Sequence, residues 1–122
     1  DMKRDEDHIQ ETCVRWYRLV YRDKMITSFP AGYVFGGDAT KRAILGKRMK
    51  DMGYMKGVPD LFIPHANRFY HGMFIEMKTP KGRLSPEQKE SIRRLESENY
   101  KCTVCRSLDE FMKAVNEYMD AI

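Results

Sequence analysis

The sequence predicts an α/β fold: a small mixed β-sheet flanked by helices. Three observations lead there. Short apolar runs alternate with stretches of helical period in the order helix, strand, helix, strand, strand, helix, strand, helix. A strand, a strongly capped helix and another strand follow one another from Gly72 to Arg106, which reads as a βαβ crossover with parallel, neighbouring strands. The 122 residues, 42% of them hydrophobic, suit one domain (1–122) with one modest core.

The first helix is predicted over Asp5 to Arg22. Ile9, Cys13, Trp16, Tyr17, Val20 and Tyr21 recur at helical spacing as one apolar stripe, while Arg15, Arg18 and Arg22 lie on another face. Met25 to Phe29 reads as a strand ended by Pro30, and Ala31-Gly32 and Gly36-Gly37 punctuate a loop. Asp38 caps a second helix running to about Met52, with Gly53 as its stop. Lys41, Arg42, Lys47, Arg48 and Lys50 give this helix a basic face, either solvated or set against phosphate. Lys56 to Pro64 forms a tight turn and a short apolar strand. His65 to His71 is polar enough for a turn, and Gly72 to Lys78 then completes a hairpin.

Ser85-Pro86-Glu87-Gln88 starts the third helix, with serine as the cap, proline in the first turn and Gln88 closing a capping box. It runs to about Glu98 with Ile92 and Leu95 inward, and the next strand is Lys101 to Arg106. Ser107-Leu108-Asp109-Glu110 repeats the capping signal for a last helix that buries Phe111, Met112, Val115 and Met119.

A net charge of +4 permits nucleic-acid binding without establishing it. No apolar stretch reaches the length of a membrane span, and the first residues, Asp-Met-Lys-Arg-Asp-Glu-Asp, lack the apolar run of a signal peptide. A soluble, cytoplasmic protein is expected. Three cysteines, an odd number, argue against a disulfide framework. Cys102-Thr103-Val104-Cys105 has CxxC spacing, but on a strand those two thiols face opposite ways, so a core role is expected. His8, His65 and His71 have no helical His-x-x-x-His partner for zinc and are expected on the surface or in turns.

The chemistry centres on Glu76 and Lys78. Period-2 geometry puts both on one face of an otherwise apolar strand, where desolvating either charge is costly without a partner. Asp60 heads the adjacent strand. Two carboxylates within a few ångströms repel unless a cation intervenes, and Mg²⁺ prefers such hard oxygen ligands. Lys78 alongside can orient a water or stabilise charge on a phosphate. A lone Glu-x-Lys is a common surface pair; Pro59-Asp60 one short hairpin upstream turns the reading to a metal site.

Pro59-Asp60 followed by Glu76-Met77-Lys78 resembles the PD-(D/E)xK nuclease superfamily. Gly57-Val58-Pro59-Asp60-Leu61, His71 to Lys78, Gly82-Arg83-Leu84-Ser85-Pro86-Glu87-Gln88, Asn99-Tyr100 and Trp16 resemble its VRR-NUC branch, especially the short stand-alone phage and bacterial form. The resemblance spans nearly the whole chain. It implies a restriction-endonuclease-like core (αβββαβ) and a metal-dependent endonuclease acting on DNA. Mg²⁺ or Mn²⁺ would be bound by Asp60, Glu76 and the backbone carbonyl of Met77, with Lys78 as the family lysine. Stand-alone members look like Holliday-junction resolvases and tend to be homodimers, which suits two symmetric cuts in a four-way junction.

The family also places a glutamate on the first helix with a glutamine one turn later. Glu6 and Glu11 are candidates. Glu6 and Gln10 match the spacing and lie at the edge of the apolar stripe, facing the sheet, whereas Glu11 points almost opposite; Glu6 is therefore taken as the third acid. Gln88 is the glutamine of the family's helix-start motif, although the capping box accounts for it fully. Lys50 and Lys56 fall near the site as candidates for phosphate contact. One departure is Pro30-Ala31-Gly32, where the family often shows Pro-Asn-Gly. Two alternatives stand beside a nuclease active by itself: a non-catalytic nucleic-acid-binding module using the basic helix, and a nuclease subunit active only beside a helicase partner. Divalent-metal titration separates the first, and cleavage by the isolated protein the second.

Overall fold

The computed structural model describes residues 2–29 and 37–122. The elements follow the predicted order: α1 (Met2–Val20), β1 (Thr27–Ser28), α2 (Ala39–Asp51), β2 (Leu61–Ile63), β3 (Met73–Met77), α3 (Pro86–Ser97), β4 (Lys101–Cys105) and α4 (Leu108–Asp120). The four strands form one mixed sheet in the order β1-β2-β3-β4. β1 with β2 and β2 with β3 are antiparallel, and β3 pairs with β4 in parallel, as the crossover requires. Pro30, the Ala31-Gly32 step and Gly36 lie outside the described residues.

Local chemistry sets the helix ends. The Asp38 carboxylate accepts the Lys41 N–H at 2.9 Å, and Gly53, at φ +107°, takes the left-handed position past the end of α2. At α3 the Ser85 hydroxyl accepts the Gln88 N–H at 3.1 Å while the Gln88 side-chain oxygen accepts the Ser85 N–H at 2.8 Å, completing the expected box. At α4 Ser107 Oγ accepts the Glu110 N–H, but the Glu110 carboxylate reaches past the cap to the Arg106 N–H at 2.9 Å.

One sheet face carries Leu61, Ile63, Met73, Ile75 and Met77. These pack with Cys13 and Tyr17 of α1 and with Phe111, Val115, Tyr118 and Met119 of α4 as the main core. The other face carries Phe62, Phe74, Glu76 and Lys78. Phe62 and Phe74 stack with ring centroids 4.3 Å apart. Two expectations are corrected. Val20, on which α1 ends, is 52% exposed, while Tyr17 in the same last turn is buried in the core. Tyr118 takes the buried place expected of Met112, which is half-buried; its hydroxyl remains satisfied by donating to the His65 carbonyl at 2.6 Å. The cysteines are free thiols, and burial pushes Cys105 up to about 12, in keeping with a core role. No described helix is long and apolar enough to cross a membrane.

Candidate active site

The β2–β3 register brings the first two acids together. Leu61 pairs with Ile75, so one step further Asp60 stands across from Glu76, and directly opposed residues share a face. The Met77 N–H donates to Asp60 Oδ2 at 2.8 Å. In an extended strand a residue's N–H and C=O point the same way, so the Met77 carbonyl is directed to the Asp60 side as well. The Lys78 N–H points oppositely, to the Cys105 carbonyl at 3.0 Å. α1 supplies the third acid from its N-terminal half. Ligand oxygens of Glu6, Asp60 and Glu76 lie within 4.8 Å of one another. Glu11, the other candidate, is exposed and stands outside this group.

Glu76 is 2% exposed and Lys78 8% exposed, so this is no surface pair. Two contacts converge on one oxygen of the Glu76 carboxylate. Gln88 Nε2 donates to Glu76 Oε1 at 3.2 Å, and Lys78 Nζ lies 3.9 Å from the same oxygen. The other oxygen, Oε2, is buried and has no hydrogen-bond partner among the described residues. Gln88 thus acts twice, capping α3 with its oxygen and holding Glu76 with its nitrogen.

The electrostatics follow from this crowding. Burial, then the Asp60 carboxylate, push Glu76 up to about 9, against the pull of Lys78. Asp60 is raised too, chiefly by burial and opposed first by the Met77 N–H. The deeper acid, Glu76, therefore keeps a proton at neutral pH unless a cation replaces it. Three carboxylates around one point, one offering an unpartnered buried oxygen, fit a hard divalent cation such as Mg²⁺ or Mn²⁺. Glu6, Asp60 and Glu76 would hold it, with the Met77 carbonyl at hand.

The remaining predicted residues divide. Gln10 lines a cleft of about 770 Å³ that opens beside Asp60 between α1 and β1, together with Glu11, Arg15 and Arg18. Lys56 pairs with Glu87, at 3.8 Å, one residue from Gln88, but both side chains are largely exposed. Lys50 is exposed on α2 and joins no part of the carboxylate group.

Sequence reading missed two supports. Arg106 donates from one guanidinium nitrogen to the carbonyls of Thr79 (2.8 Å) and Gly82 (2.6 Å), fastening the turn after Lys78. An arginine closing a strand carries no signal of that. Gly57 sits at φ +92°, where a Cβ would meet the Glu87 backbone at 2.7 Å, so the loop leading to Asp60 lies directly on the first turn of α3. The Gly-x-Pro-Asp spacing hinted at a turn but not at what it touches.

No curated protein matches the chain. A solved structure described as a VRR_NUC domain protein is similar at 27% sequence identity and a TM-score of 0.76, over 95% of this chain and 88% of that one. The family model for the VRR-NUC domain matches residues 4–109. That match takes in the carboxylate group, Lys78 and Gln88, and the chain belongs to the VRR-NUC family of nuclease domains.

Proposed function

We propose that the chain is a divalent-metal-dependent endonuclease that hydrolyses DNA phosphodiesters, with branched DNA of the four-way-junction type as substrate and a homodimer as the working form. One observation carries the reading: three carboxylates offer oxygens within 4.8 Å of one another, and one of them, Glu76, has a buried oxygen with no hydrogen-bond partner among the described residues, an arrangement that burial disfavours unless a proton or a cation neutralises it. When bound, Mg²⁺ or Mn²⁺ would neutralise charge on the scissile phosphate and lower the pKa of a water. The chain's own groups do the rest. Asp60 is held in place by the Met77 amide and Glu76 by Gln88. Lys78, on the same strand face, supplies a fixed positive charge to orient the water or to stabilise the phosphate as negative charge builds on it. The sheet and α3 shield these groups from bulk solvent, which strengthens each interaction.

The test is a cleavage panel of four-way junctions, flaps, single strands and plain duplex in Mg²⁺ and in Mn²⁺, using wild type and Asp60→Asn. Cleavage of junctions by wild type, abolished in the variant and in EDTA, is expected. Equal cleavage by Asp60→Asn would remove the assignment. Preference for flaps or ends over junctions would keep the chemistry and replace the substrate.

A further inference from the structure

We infer that α2 is a duplex-docking arm, a helix that lies against the phosphate backbone of DNA flanking the site of cleavage. The inference takes its choice of DNA from the proposed nuclease function and concerns a different surface. α2 runs for 13 residues and buries none of them. It carries Lys41, Arg42, Lys47, Arg48 and Lys50 against a single carboxylate, Asp51, which pairs with Lys47 at 2.9 Å. Lys41, Arg48 and Lys50 make no ion pair among the described residues, and Arg42 donates to the Gly37 carbonyl at 2.9 Å.

The arrangement of these charges selects the occupant. At about 100° per residue the five cations fall on all sides of the helix, which corrects the single basic face expected from the sequence. A helix on a membrane surface segregates cations from a wide apolar face, and a helix in a protein groove presents a continuous apolar stripe. α2 does neither: its one short apolar strip, Leu45 and Met49 with Met52 just past its end, is flanked by Lys41 and Arg48, and the C-terminal part of that strip turns to a groove of this chain with Phe29 and Val58. Cations on every side match an environment with negative charge on more than one wall, which the major groove of duplex DNA provides at a width that admits a helix. The helix is about 20 Å long at 1.5 Å per residue, enough to follow several phosphates.

The helix is also weak without a partner. Gly46 in its middle costs about 1 kcal/mol relative to alanine, and isolated helices of this length are marginal. Its C-terminal end is seated next to the site. Met49, Met52 and Met55 share a small apolar groove with Phe29 and Val58, and Val58 lies two residues before Asp60. DNA held along α2 therefore passes close to the carboxylates.

Because α2 contributes nothing to the core, it can be altered without unfolding the rest. The test compares wild type with the variant Lys41→Gln, Arg42→Gln, Arg48→Gln, Lys50→Gln. Binding of a short labelled duplex is measured by fluorescence anisotropy without divalent ions, from about 50 to 200 mM salt. The variant is expected to bind at least about 10-fold more weakly, with the slope of log K against log salt flattened by up to about 3.6, at about 0.9 per lost phosphate contact. Its melting temperature and Mn²⁺ binding should match wild type. A wild-type slope and affinity in the variant would overturn the inference. So would loss of self-association in analytical ultracentrifugation with the slope unchanged, which would assign α2 to a second copy of the chain. If wild type cuts no DNA yet the two slopes differ as stated, the nuclease reading fails and the docking arm stands.

Discussion

Glu76 is buried beside a second carboxylate, and its protonation couples the site to stability. Its ordinary value is 4.5, and in the folded protein it is pushed up to about 9. Between those values the folded state holds a proton that the unfolded chain has released, so the contribution of Glu76 to stability is full below about pH 4.5 and is lost as pH rises toward 9. The metal-free protein should therefore show a falling melting temperature across that window, followed by circular dichroism, and Glu76→Gln should flatten the curve. Mn²⁺ replaces the proton, so its affinity should rise with pH over the same range. At the first helix, Glu6→Gln should weaken Mn²⁺ binding by calorimetry while Glu11→Gln leaves it unchanged; the reverse would move the third acid to Glu11. Lys78→Met should lower cleavage by about 100-fold or more, the scale of a positioned proton-transfer or charge-stabilising group, while duplex affinity stays close to wild type. The placement of Glu6, rather than Glu11, beside Asp60 and Glu76 was legible from the helical wheel, because the direction of an α-helical side chain follows from its position. The grip of Gln88 on Glu76 was not, since a capping box accounts for that glutamine locally and spacing gives no long-range distance.

Among the elements, helices with caps at their starts were the most legible, because a cap is a chemical requirement written within four residues. α2 and α3 begin where Asp38 and Ser85 predicted. β1 was less so. The expected strand from Met25 to Phe29 shrinks to Thr27–Ser28, with Thr27 opposite Phe62 and Ser28 opposite Leu61. The Met25 N–H turns instead to His65 Nε2 at 2.6 Å, so apolar composition overstated the ladder available. The contact of Gly57 with α3 leads to a prediction at this scale. Gly57→Ala adds a Cβ at φ +92° and against the Glu87 backbone, and should destabilise the protein by about 1–3 kcal/mol in urea melts. It should also weaken Mn²⁺ binding, because Asp60 and Gln88 are carried by the two segments it forces apart. Loss of stability with unaltered metal affinity would separate the loop from the site.

For the whole molecule, the layering of a mixed sheet between helices was readable from the alternation of periods, and the parallel β3–β4 pair from the length of the crossover. The detachment of α2 was not, since a basic helix surface reads the same whether the helix rests on a core or stands away from one. Ligand linkage gives the matching test. Mn²⁺ at about 100 times its dissociation constant should stabilise the folded protein by about 2.7 kcal/mol, seen as a raised melting temperature that Asp60→Asn abolishes.

The alternation along β3 has a last consequence. Met73, Ile75 and Met77 fill the core while Phe74 and Glu76, with Lys78 just beyond, face the other way. A slip of one residue would drive the carboxylate and the ammonium into the oily interior and leave apolar side chains where the carboxylate group belongs. Misaligned copies thereby lose the carboxylate group as well as their stability, so correct register and an assembled site come together or not at all.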